Sequence, residues 1–141
     1  MTIAAILKGR QAVVTLTAEV TVAQAAALFA HHRIGAAPVM VDGRVAGVFS
    51  ERDVIRCLAE QGAAGLGLAV GTLMTTPVIF VAPRDAVIGA LSLMTARRIR
   101  HLPVLDSGTL VGFVSIGDLV KYRIERIEAD AAAMRDYIQS A

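Results

Sequence analysis

Two seven-residue segments carry the residue types best suited to chemistry: Gly47-Val-Phe-Ser50-Glu-Arg-Asp53 and Gly112-Phe-Val-Ser115-Ile-Gly-Asp118. In each, an apolar run ends at a Ser that opens a helix, and an acid follows three residues later. A helix N-terminus with a hydroxyl and exposed N–H groups is an anion site suited to phosphate. An Asp one turn in can accept hydrogen bonds from both hydroxyls of a ribose. The Gly three residues before the Ser lets backbone or ligand approach closely. The same spacing is also a variant capping box, in which the Ser satisfies an orphan N–H and the Asp favours the helix N-terminus. One such segment alone favours the cap; two at the same place in a duplicated unit favour a binding site.

The duplication is explicit. A shift of 65 residues aligns the halves without a gap. Val22, Ala25, Leu28, Arg33, Ile34, Pro38, Val39, Gly43, Gly47, Ser50 and Asp53 recur as Val87, Ala90, Leu93, Arg98, Ile99, Pro103, Val104, Gly108, Gly112, Ser115 and Asp118. Each copy reads β-α-β-β-α. An apolar strand comes first, Val13–Leu16 or Val78–Val81, and then a helix with Thr21 or Asp85 at its N-cap. The apolar stripes Val22, Ala25, Ala26, Phe29 and Val87, Ala90, Leu91, Met94 have helical spacing. Two short strands follow around Asp42-Gly43 or Ser107-Gly108, and the second helix opens at Ser50 or Ser115. Four glycines, Gly62, Gly65, Gly67 and Gly71, mark Gln61–Gly71 as a flexible linker. A unit of about 50 residues buries little surface alone, so the copies are expected to pack around a pseudo-twofold axis.

Composition narrows the class. With 141 residues, 55% hydrophobic and 18% charged, the chain is a compact globular protein and not a disordered one. A net charge of +2 and 4% aromatics argue against nucleic acid as a partner. Cys57 is the only cysteine, so no internal disulfide forms and a reducing, cytoplasmic setting is expected. The longest uncharged run, Gln61 to Pro83, is broken by Gly and Pro and is not a membrane span. Three His and one Cys without ligand spacing make no metal site, and no nucleophile is paired with a base, so no catalytic residue is assigned.

On Arg33-Ile-Gly-Ala-Ala-Pro-Val39, Gly47–Asp53, Arg98-Ile-Arg-His-Leu-Pro-Val104 and Gly112–Asp118, the chain from about Val13 to Arg126 resembles a tandem pair of CBS domains, a Bateman module. The resemblance implies an α/β (α+β) fold with two clefts between the repeats, a regulatory role, and an adenosine-containing ligand such as AMP, ADP, ATP, NAD or S-adenosylmethionine. It implies that Ser50 and Ser115 meet phosphate and that Asp53 and Asp118 hold ribose. Backbone near Ala36, Ala37 and Pro38 and near His101, Leu102 and Pro103 would line the adenine pocket. It further implies a homodimer and a regulated protein partner whose identity the sequence leaves open. Two rival readings are a structural or interaction module with empty clefts and, more remotely, a nucleotide hydrolase.

The copies differ. Glu51 follows Ser50, where a carboxylate would repel phosphate, and Arg52 offsets it in part. Ile116 and Gly117 stand at those places in the second copy. Arg97, Arg98, Arg100 and His101 concentrate cationic donors in the second copy, which is therefore expected to hold the filled site. His31 and His32 suit a helix C-terminus, and Cys57 fits the apolar pattern of Val54, Ile55 and Leu58.

Beyond the second copy a helix is expected from Ser115 to about Ile138. Val120, Ile124, Ile127, Ala131, Met134 and Ile138 form a narrow seam on it, fit either for its own protomer or for a partner. The expected domains are residues 1–61 (first repeat with the N-terminal segment), 62–71 (linker), 72–126 (second repeat) and 127–141 (C-terminal helix extension).

Overall fold

A computed structural model describes residues 1–140. In the first half, Thr21 opens α2 (Val22–His32) with a complete capping box: its side chain accepts from the Gln24 N–H, and the Gln24 side chain accepts from the Thr21 N–H. The helix stops at Arg33, whose φ of 54° is left-handed, and α4 (Val87–Arg97) stops the same way at Arg98. In both halves this tight exit feeds an antiparallel hairpin, β2 (Ala36–Val41) with β3 (Arg44–Ser50) and β4 (His101–Asp106) with β5 (Thr109–Ser115). Both turn residues have positive φ in each hairpin, 51° and 75° at Asp42-Gly43 and 50° and 82° at Ser107-Gly108, the twist that matches paired strands. Ser50 and Ser115 then open α3 (Glu51–Gln61) and α5 (Ile116–Ser140).

The leading strands are shorter than their apolar runs predict. Val13–Leu16 reduces to β1 (Leu16–Thr17), parallel to β2, and Val78–Val81 to one parallel bridge between Val81 and Val104. The physical reason is an exchange between the halves. Thr75, just before the second repeat, pairs with Val48 of β3 through backbone bonds of 2.8 and 3.1 Å. Residues 76–80 then cross back to the second half.

The N-terminus crosses in the opposite sense. In α1 (Ile3–Leu7), Ile3 and Ile6 lie in one core with Val81, Val87, Leu102, Val114 and Leu119. Grouping residues 1–61 as one unit therefore follows chain order and not packing. This crossing also corrects the expected cap of α4. Ala86 is the N-cap, without a side-chain bond, while Asp85 accepts from the Ala82 N–H at 2.8 Å. The Val87 N–H is met by the Met1 carbonyl.

The glycine-rich segment is ordered, contrary to its composition. It forms 3-10 turns over Gly62–Gly67 and Val70–Thr72, and Val70 is fully buried with Leu16, Phe49 and Cys57. The Val70 and Gly71 N–H groups donate to the Val20 and Ala18 carbonyls, and the Cys57 thiol to that of Gly65. Apolar side chains alternating with small residues let this segment pack where a flexible linker would not.

The last helix is a single element across the expected boundary at 126. Leu119 is buried in the second core and Tyr122 packs on it, but from Ile124 to Ser140 every residue except Ala132 is exposed. Of the two readings of the seam, packing on its own protomer is excluded.

Candidate functional site

The two Ser–Asp segments have nearly the same local geometry. The Ser50 N–H donates to Asp53 Oδ2 at 2.9 Å and the Asp53 N–H to Ser50 Oγ at 3.3 Å. In the second copy the same pair of bonds measures 2.8 and 3.1 Å. Both are therefore complete caps, and their environments decide what else they can do.

Asp53 is 4% exposed. Its carboxylate also accepts from the Ser50 hydroxyl at 3.1 Å, from Thr75 Oγ1 at 3.2 Å and from Arg56 at 3.4 Å. Asp118 keeps about a third of its side chain exposed and pairs with Arg10, Nη2 to Oδ1 at 2.8 Å. Burial alone would raise the Asp118 pKa. Hydrogen bonds from Arg10 and from the Ser115 N–H, with the Arg10 charge, outweigh it and hold the carboxyl below its ordinary range.

Asp118 opens onto the larger of two clefts, about 640 Å³, within the usual range for small-molecule sites. Gly112, Phe113 and Ser115 line it from the second half, and Arg33, Ile34, Gly35 and Ala36 from the first. Its charges balance, Arg10 and Arg33 against Glu51 and Asp118. His101 stacks on Phe113 with centroids 5.7 Å apart and planes 11° apart, a flat surface fit for a purine. Burial lowers the His101 pKa, partly offset by Glu51 and Asp118, so the ring is neutral at pH 7.

The smaller cleft, about 230 Å³, holds Ser50, Asp53 and Thr75 together with Arg98, Ile99, Arg100 and His101 of the second half. Four arginines, Arg52, Arg56, Arg98 and Arg100, face two carboxylates there. This corrects the sequence grouping: Arg98 and Arg100 belong to the second copy but line the cleft of Ser50 and Asp53. Left-handed Arg33 and Arg98 turn each hairpin's entry towards the other half, so each repeat contributes to the cleft that carries its partner's Ser and Asp. Glu51 lines both clefts.

Not every expected residue reaches a cleft. Ala37, Pro38, Leu102 and Pro103 are buried in the hairpins. Gly47 packs on Met74, where a Cβ would lie 2.7 Å from the sulfur, and lines neither cleft. Ile116 is part of neither lining. Arg10 and Thr75 escaped the sequence reading. They stand 65 residues apart, but differ in type and precede the aligned block, so only their shared offset marked them. Among the described residues no group of three or more His, Cys, Asp or Glu is placed to hold a metal ion, and no helix is long and apolar enough to cross a membrane.

Comparison with known proteins gives the same architecture. The CBS domain profile matches residues 7–60 and 70–125. The chain is 35% identical over 128 residues to the mitochondrial CBS domain-containing protein CBSX3 of Arabidopsis thaliana, covering 87% of this chain and 62% of that protein. A CBS-domain containing protein from Agrobacterium tumefaciens superposes with a TM-score of 0.83 at 40% identity, over 87% of this chain and 99% of that one. The crystal structure of CBSX2 in complex with AMP superposes with a TM-score of 0.75 at 25% identity, over 88% of this chain and 96% of that one.

Proposed function

This chain belongs to the CBS domain family, as a tandem pair of such domains, and from that premise we propose that it is a regulatory module that senses an adenosine-containing ligand and catalyses no reaction itself. The observation that carries the reading is Asp118: a partly exposed carboxylate at a helix N-terminus, beside Ser115, on a 640 Å³ cleft with a stacked ring pair. The AMP complex of CBSX2 supports the ligand class.

Ser115 and the N–H groups of α5 receive a phosphate, and Asp118 accepts from the ribose hydroxyls. AMP fits this arrangement; ADP, ATP, NAD and S-adenosylmethionine share its adenosine. The small cleft around Ser50 and Asp53 is rich in arginine and short of volume, so it is suited to an anionic group and not to a whole nucleotide. A homodimer, a cytoplasmic setting and a regulated protein belong to the same reading. The exposed stripe of α5 supports the first and the single cysteine the second.

One observation favours the rival reading of a structural module with empty clefts. The Asp53 carboxylate is already filled by partners within the chain. Isothermal titration with AMP and with its 2′,3′-dideoxy analogue separates the two. Saturable binding of AMP that weakens at least about tenfold without the hydroxyls fits a ribose held by a charged acceptor. No binding of any adenosine compound, or equal affinity for both, overturns the nucleotide role of Asp118.

A further inference from the structure

The second half of α5 leaves the body of the protein. Val120, Ile124, Ile127, Met134 and Ile138 are 42%, 51%, 56%, 60% and 65% exposed, all on one stripe with Ala131. A lone helix of this length is marginal in water, and its stability must come from packing an apolar face. The stripe steps by four and three in strict alternation, a period of 3.5, which is the seam of a left-handed coiled coil. No other part of this chain covers it.

The charges beside the stripe name the occupant and its direction. Lys121, Glu128 and Arg135 flank it on one side, and Arg123, Asp130 and Tyr137 on the other. In a parallel, in-register pair, each flanking residue on the second side meets the one five positions later on the first side of the other helix. Arg123 then faces the partner's Glu128, and Asp130 faces the partner's Arg135. Twofold symmetry repeats both pairs, and every one is attractive.

Laying the same stripe antiparallel, with Ala131 against the partner's Ile127, reverses this. Glu128 then meets the partner's Glu128, Asp130 meets the partner's Asp130, and Lys121 meets the partner's Arg135. Like charges at such positions are unfavourable.

We infer that the exposed face of α5 from Val120 to Ile138 is an interaction surface for a second copy of this chain, paired parallel and in register. The consequence is geometric: both copies' clefts lie at the same end of the coil, so two ligand-binding bodies are held side by side by their C-terminal helices. This inference does not depend on the nucleotide reading, since it uses no residue of either cleft.

Sedimentation equilibrium of the full chain tests it, together with cysteine cross-linking. The full chain sediments as a dimer at tens of micromolar. Ile127→Asp, at an exposed position of the protomer, keeps the circular dichroism of the folded body. It raises the dimer dissociation constant at least ~100-fold, because two apolar side chains are lost from the seam and two charges enter it. Arg123→Glu weakens the dimer and the double change Arg123→Glu, Glu128→Arg restores it, since the pair is only reversed. Ala131→Cys forms a covalent dimer on mild oxidation, because parallel register sets residue 131 against itself; Cys57, 2% exposed, stays out of the reaction. A monomeric full chain, a dimer unmoved by Ile127→Asp, or cross-linking that requires Ile127→Cys mixed with Ala131→Cys overturns the inference.

Discussion

Arg10 and Thr75 stand 65 residues apart, at equivalent places ahead of the two repeats, and each donates to the helix-opening Asp of the half that its segment crosses to. Arg10 meets Asp118 at 2.8 Å and Thr75 meets Asp53 at 3.2 Å. One residue exchange thus sets the difference between the clefts. A hydroxyl seals Asp53 into a buried network, whereas a long guanidinium leaves Asp118 partly open but already paired.

Arg10 competes with a ribose for Asp118. Arg10→Thr makes the larger cleft resemble the smaller one and frees the carboxylate. Both partners are about a third exposed, so the pair is worth at most about 1 kcal/mol. Affinity for adenosine, which has no phosphate for Arg10 to hold, is expected to rise by up to about fivefold in calorimetric titration. A fall in adenosine affinity would show that Arg10 supports the nucleoside.

The two aspartates separate stability from binding. Asp53→Ala leaves Ser50 and Thr75 without their acceptor in a buried setting and is expected to cost about 2–3 kcal/mol in urea unfolding. Asp118→Ala removes a cap and a half-exposed ion pair and costs about 1 kcal/mol. AMP affinity is expected to respond oppositely, falling roughly tenfold to hundredfold with Asp118→Ala. Equal stability losses would contradict the burial difference between the two carboxylates.

The segment between the repeats is a packed element, and glycine substitutions report it. A Cβ at Gly65 would lie 2.6 Å from the Cys57 sulfur, so Gly65→Ala overpacks that contact and is expected to destabilise by about 1–3 kcal/mol. Gly67 has nothing within 4 Å of such an atom and no positive φ. Gly67→Ala is therefore neutral or stabilising by about 0.4–1 kcal/mol through the unfolded chain. Identical melting temperatures for the two variants would return the segment to a flexible linker.

Acid unfolding is expected in two stages. The His101 pKa is lowered in the folded state, chiefly by burial, so the unfolded chain takes up a proton first as pH falls below 6.5. Stability from this group is complete above that value and declines as pH falls towards the lowered folded value. Asp118 is lowered as well, against the opposing effect of burial, by Arg10 and Ser115. Its contribution is present above 3.8 and disappears as pH falls through the depressed folded value. His101→Phe is expected to flatten the first stage and Arg10→Ala to shrink the second, read as chemical denaturation midpoints between pH 7 and pH 3.

Residue types at fixed spacing were enough to determine the repeat, its β-α-β-β-α order, both hairpin turns and both Ser–Asp helix openings. These are local or periodic features: capping, turn conformation and helical stripes act over a few residues, and duplication writes them twice. The seam of α5 was legible for the same reason, as a pattern along one helix. The contents of each cleft were not. Arg98 and Arg100 were assigned to the copy that contains them, yet they serve the other, because left-handed Arg33 and Arg98 turn each hairpin across the pseudo-twofold axis. Arg10 and Thr75 reach their aspartates only because the segments ahead of each repeat exchange halves. The glycine-rich segment looked flexible by composition, but Val70 found a core to fill. Charge balance, burial and volume are sums over residues far apart in the chain, so only tertiary packing decided which cleft is open and neutral and which is tight and arginine-rich.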